Sequence, residues 1–113
     1  MTDATIRELK ADAAGAAAAG DHGTAARLYG HALRWNPADA ESLFGCGQLL
    51  LLAREPAAAE PWLRRGRIVD PGSTAMAFLH GLSLWFLGRA AEAAGTFRAV
   101  LAQDPGHAQA GLL

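Results

Sequence analysis

The sequence predicts an all-α solenoid of three helix-turn-helix units followed by a short C-terminal partial helix. Three observations carry that expectation. Pro37, Pro71 and Pro105 stand 34 residues apart, and each follows Asn or Asp: Asn36, Asp70, Asp104. Other positions repeat in the same frame: Ala25/Ala59/Ala93, Tyr29/Leu63/Phe97 and Ala13/Gly47/Gly81, with Gly20 and Gly88 matching around Arg54. Apolar residues recur at helical spacing, and no stretch alternates like a strand. Proline cannot continue a helix, and it pushes the residue before it out of the α region. Each Asn-Pro or Asp-Pro pair therefore ends one helix and lets the next begin.

The elements follow in order. Helix one is expected over about Ile6 to Ala19, alanine-rich with Gly15 inside. Asp21 is a candidate N-cap for helix two, about Gly23 to Trp35, whose Ala25, Leu28, Tyr29, Ala32 and Leu33 fall on one face. Helix three starts near Ala38, with Leu43, Cys46, Gly47 and Leu50 as its core stripe. Helix four spans about Ala57 to Val69 and contains Pro61. A start near Ala57 or Ala58 puts that proline in the first turn, where amides lack intrahelical partners anyway. Helix five covers about Ser73 to Leu87 and helix six about Ala90 to Gln103, with Leu87-Gly88 a plausible C-cap. Gly106 to Leu113 begins a seventh helix that is cut short. The units run over about residues 6–39, 40–73 and 74–107, with a partial capping segment at 108–113, in one domain over 1–113.

These residues carry a resemblance. The chain resembles a tetratricopeptide repeat protein, whose unit is a 34-residue helix-turn-helix. The family pattern is matched by Leu43, Gly47, Leu50, Ala59, Leu63 and Pro71, and again by Gly81, Leu84, Ala93, Phe97 and Pro105. The first copy matches at Leu9, Ala13, Ala25, Tyr29, Ala32 and Pro37, with Asp12 and Ala16 where large apolar residues are expected. The likeness implies a right-handed solenoid whose first helices line a concave face. It implies a protein partner and does not say which. Some family members grip a C-terminal carboxylate with Lys and Asn on the first repeat and Lys and Arg on the third. Only Lys10 fits that set; Ala14, Ala75 and Leu79 stand at the other places. The likeness also extends loosely to small three-repeat chaperones of bacterial secretion systems.

Composition narrows the classes of function. Ten Lys and Arg against eleven Asp and Glu give a net charge of −1, which does not suggest a nucleic-acid or anionic-membrane partner. The longest strongly apolar run, Gly47 to Ala53, is far short of the ~20 residues a membrane span needs. The single cysteine, Cys46, excludes an intrachain disulfide and a cysteine-rich zinc site. With no signal-like start, a cytoplasmic location is the default.

No catalytic constellation emerges, and no cofactor is expected. His80 lies on the apolar stripe of helix five with no acidic partner expected nearby, so it reads as a satisfied core histidine. Cys46 and His80 share a repeat position, which by itself is thin ground for a metal site. Gly45-Cys46-Gly47 lacks the Lys-Ser/Thr and preceding strand of a phosphate loop. Arg64, Arg65 and Arg67 read as a solvated outer face, with an acidic or phosphate contact as the alternative.

Helix five is the anomaly. Beside its packing stripe it carries a second one, Phe78, Leu82, Trp85 and Phe86. A helix apolar nearly all round needs cover on more than one side. The equivalents on helix three are Glu41, Phe44, Gln48, Leu51 and Leu52. In the resembled family these positions face the groove. Phe44, Gln48, Leu51, Phe78, Leu82, Trp85 and Phe86 are therefore the candidate peptide-binding residues. The expected function is a non-catalytic interaction module; a client-specific chaperone or a self-assembling scaffold is the alternative. With so short a C-terminal cap, Phe97, Val100, Leu101, Leu112 and Leu113 are candidates for self-association, as a homodimer or end to end.

Overall fold

The computed structural model describes residues 3–104 and places six α-helices along them: α1 Asp3–Ala18, α2 His22–Trp35, α3 Ala40–Leu52, α4 Pro56–Val69, α5 Thr74–Phe86 and α6 Ala90–Gln103. The expected seventh helix falls on 105–113, outside the described residues.

Asn36, Asp70 and Asp104, the residues before the prolines, terminate α2, α4 and α6. All three leave the α region, with φ of −138°, −132° and −139° and ψ of 92°, 74° and 85°. A following proline disfavours the α region for the residue before it. Each donates its amide back to the helix it ends, at Ala32, Gly66 and Val100.

The turns within each hairpin repeat as closely. Gly20, Arg54 and Gly88 adopt φ of +84°, +62° and +79°. The residue after each reaches back five positions: Asp21 to Ala16, Glu55 to Leu50 and Arg89 to Leu84. This left-handed closure occupies the last carbonyls of α1, α3 and α5. Two copies use glycine, which bears φ > 0 without a Cβ clash; Arg54 holds the same conformation at a cost of roughly 1–2 kcal/mol. Arg54→Gly is expected to raise stability by about 0.5–1 kcal/mol, the strain relieved less the extra freedom of glycine in the unfolded chain. A rise in urea midpoint at unchanged m-value checks it.

Three boundaries differ from expectation. α1 begins one turn earlier than Ile6. α3 begins at Ala40 rather than Ala38, because the Ala38 amide donates to the Asn36 side chain at 3.1 Å. Asp39 is then the N-cap, accepting from the Ser42 amide at 3.0 Å. α4 begins at Pro56, which takes the first-turn place expected of Pro61. Pro61 lies inside the helix, where it withholds an amide from the Ala57 carbonyl. Both residues are exposed, so water can bond that carbonyl. Asp21 caps α2 as expected, accepting from the Thr24 amide at 3.2 Å.

Helices pack as consecutive hairpins, α1–α2, α3–α4 and α5–α6, each against the next. The repeated small positions explain how closely they approach. A Cβ at Gly47 would meet Leu63 at 2.4 Å, and one at Gly81 would meet the Phe97 ring at 2.6 Å. Each large residue of a second helix thus fills the place of a side chain missing from the first. The core runs along the stack: Ala13, Ala25, Tyr29, Leu33, Leu43, Cys46 and Leu49; then Ala59, Leu63 and Met76; then Ala77, Leu84, Ala93, Phe97 and Val100.

Candidate functional site

The surplus stripe of α5 and its counterpart on α3 divide into a packed part and an open part. Phe78 and Leu82 are half-buried against the Phe97 and Val100 cluster. The Phe78 and Phe97 ring centroids are 5.8 Å apart. Phe44 and Leu51 are half-buried against Leu63 and Met76. Gln48 is exposed between them. The open part lies at the C-terminal ends of the two helices. There Leu52, Trp85 and Phe86 are 63%, 45% and 64% exposed. Leu51, Leu52 and Phe86 line an open cleft of about 580 Å³ together with Arg54 and Pro56. Arg54 and Pro56 were not among the sequence candidates. They sit in and just after the turn that follows the α3 stripe, so the turn's position was the available signal.

A second cleft, of about 310 Å³, lies at the other end of the same helices. Ala40, Glu41, Phe44, Asp70, Ser73 and Met76 line it. Beside it the Lys10 ammonium bridges Asp39 and Glu41, each at 3.1 Å. Partial burial pulls the Lys10 pKa down, but the bonds to Glu41 and Asp39 outweigh it and the net shift is upward. Lys10, the one residue that matched a carboxylate grip, is thus engaged within the chain.

At the C-terminal hairpin the expected lack of cover is corrected for two residues. Phe97 and Val100 are buried between α5 and α6, and Leu101 is half-buried against them. The small residues of α5, Ala77 and Gly81, let α6 close over that face. Leu112 and Leu113 lie outside the described residues.

His80 is a satisfied core histidine, but the expected absence of an acidic neighbour is overturned. Its Nε2 donates to Glu60 Oε2 at 2.7 Å, and its Nδ1 accepts from Arg67 Nη1 at 3.1 Å. A guanidinium only donates, so Nδ1 carries no proton and the imidazole is neutral. Burial lowers the His80 pKa, Arg67 and Arg64 act the same way, and Glu60 opposes them without prevailing. Arg67 also donates to Thr96 at 3.4 Å, which ties in α6. Glu60 lies 3.5 Å from Arg64 and 3.9 Å from Arg89. A signal for this cluster was in the repeat frame. Glu60 stands where the other copies have Ala26 and Ala94, and Arg67 where they have Leu33 and Leu101.

The Arg64, Arg65 and Arg67 run is accordingly no single basic face. Arg67 points inward, Arg64 pairs with Glu60, and Arg65 stacks 5.2 Å over Trp62 and donates to the Pro37 carbonyl at 3.0 Å. Cys46 packs with Tyr29 and Leu43, and burial pushes its thiol up to about 11. A thiol so poised is a poor nucleophile at neutral pH. Among the described residues no three His, Cys, Asp or Glu side chains converge as metal ligands. No described helix is long and apolar enough to cross a membrane.

Stacked helical hairpins with one face of their first helices left open define an α-solenoid. The chain belongs to the tetratricopeptide repeat family: one model of that repeat matches residues 16–81 and a second matches 78–113. Among solved structures it is similar to YrrB, described as a tetratricopeptide repeat protein with an unusual peptide-binding site. That match has 27% identity and TM-score 0.86, over 96% of this chain and 56% of that one. It is also similar to the O-GlcNAc transferase of Thermobaculum terrenum, at 26% identity and TM-score 0.86, over 97% of this chain and 22% of that one. The second tetratricopeptide domain of human RPAP3, solved with an HSP70 peptide, superposes at TM-score 0.90 and 22% identity, over 96% of this chain and 90% of that one. The chain thus spans about half of the first of these proteins and about a fifth of the second. No curated protein matches it.

Proposed function

We propose that the chain is a non-catalytic interaction module that takes a segment of a partner protein on the inner face of its first helices. Phe44, Gln48, Leu51, Phe78, Leu82, Trp85 and Phe86 form that face, joined by Leu52. The observation that carries the reading is the exposure of Leu52, Trp85 and Phe86 beside an apolar cleft. Three large apolar side chains in one place favour a covering partner, since contiguous exposed patches on a monomer tend to be binding sites. Aromatic residues are the usual anchors of such contacts. The peptides bound to similar folds support a peptide as ligand.

Phe78 supports Phe97, so truncating it tests packing as much as binding. Trp85→Ala with Phe86→Ala is the cleaner test. The double variant is expected to keep its melting temperature within a few degrees. Proteins captured from the native host by the wild-type chain should fall at least tenfold, the loss of one hot-spot residue or more. Equal capture by both chains would remove this face from the proposal. Sedimentation checks the other occupant, a second copy through the C-terminal repeat: a concentration-dependent dimer abolished by the same double variant would assign the face to self-association.

A further inference from the structure

The inner face of α3 is graded along its length. Glu41, Phe44, Gln48, Leu51 and Leu52 form one stripe, acidic at the start of the helix and apolar at its end. The two clefts sit at the two ends of this stripe. The first is bordered by the Glu41 and Asp70 carboxylates, with Asp39 close by. Among the described residues the cation bonded there is Lys10, one ammonium among three carboxylates. Asp70 has no ion pair among the described residues. The second cleft is apolar and carries a cation, Arg54, on its lining.

Resting on the reading above, we propose that this face selects an extended partner segment with a basic residue about five positions from a large apolar anchor. The apolar anchor enters the cleft of Leu51, Leu52, Pro56 and Phe86. The basic residue reaches Glu41 and Asp70. Arg54 repels a cation at the apolar end, so the segment has one orientation. The spacing follows from geometry. Glu41 and Leu52 are eleven positions apart on a helix, about 16 Å at 1.5 Å per residue. An extended chain covers that distance in about five residues.

The test is an NMR titration of the 15N-labelled chain with three synthetic peptides capped at both ends, to millimolar concentration. The first is Lys followed by four Ser, then Leu-Phe; in the others Glu or Ser replaces the Lys. The Lys peptide is expected to bind most tightly and the Glu peptide most weakly, each carboxylate contributing about two- to fivefold. Amide shifts should gather at Leu51, Leu52 and Phe86 for all peptides, and at Glu41, Asp70 and Ser73 for the Lys peptide alone. Glu41→Gln with Asp70→Asn should bring the Lys peptide down to the affinity of the Ser peptide. Equal affinities for all three peptides would overturn the charge selection and leave the apolar face standing. Tighter binding of a peptide with ten intervening residues would overturn the extended geometry. No shift with any peptide would overturn both this inference and the function it rests on.

Discussion

Phe97→Ala is expected to destabilise the chain by about 3–5 kcal/mol, the usual cost of emptying an aromatic site in a closed core. Phe97 is 4% exposed and packs with Phe78, Leu84, Ala93 and Val100. Its ring also fills the space over Gly81, where no side chain can reach in to replace it. The cavity therefore has few atoms able to collapse into it. In a repeat array each unit contacts only its neighbours, so the loss should be local. Hydrogen exchange should speed up first in α5 and α6, while α1 and α2 keep their protection. Uniform loss of protection over all six helices would mean that the hairpins fold as one unit.

Replacing Glu60 by alanine is expected to cost about 2–4 kcal/mol, because it leaves the His80 Nε2–H without an acceptor and the Arg67 charge less balanced. The same cluster makes stability depend on pH. The folded His80 pKa is held below the unfolded value of about 6.5. Between those two values the unfolded chain binds the proton and the folded chain does not, so stability rises with pH across that window. The contribution is fully present above about 6.5 and is lost as pH falls toward the folded pKa, with a slope of at most about 1.4 kcal/mol per unit. Protonation would put a hydrogen on Nδ1, where Arg67 now donates. Glu60 favours the imidazolium; Arg67, Arg64 and the nearby Arg89 oppose it. The check compares urea midpoints from pH 7.5 to 5 for the wild-type chain and His80→Gln. The wild-type chain should lose more stability over that range than the variant; parallel curves would exclude His80 as the titrating group.

The fold was readable because it is written three times. Pro37, Pro71 and Pro105 mark the helix ends, and the departure of Asn36, Asp70 and Asp104 from the α region follows from them by local sterics alone. Gly47 and Gly81 were visible as a column of small positions and Leu63 and Phe97 as a column of large ones; that each small position meets a large one came from the packing. Boundaries were less legible where side chains competed with the backbone. The Asn36 side chain delays α3 to Ala40, and Pro56 starts α4 ahead of Pro61. The candidate face was legible as surplus hydrophobicity on α5. Which of its residues stay open was not, since that depends on how α6 lies across Phe78 and Leu82.

The sequence by itself thus determined the helices, their order and their period, because these rest on local rules repeated every 34 residues. Only the tertiary structure decided the neighbours of each charge. Glu60 and His80 are twenty positions apart and share a hydrogen bond; Lys10 spans 29 positions to reach Asp39. Such partners meet through the packing of one hairpin on the next, and no local pattern records that. The same packing buries Phe97 and Val100 and leaves Leu52, Trp85 and Phe86 open at the helix ends, where no described residue covers them.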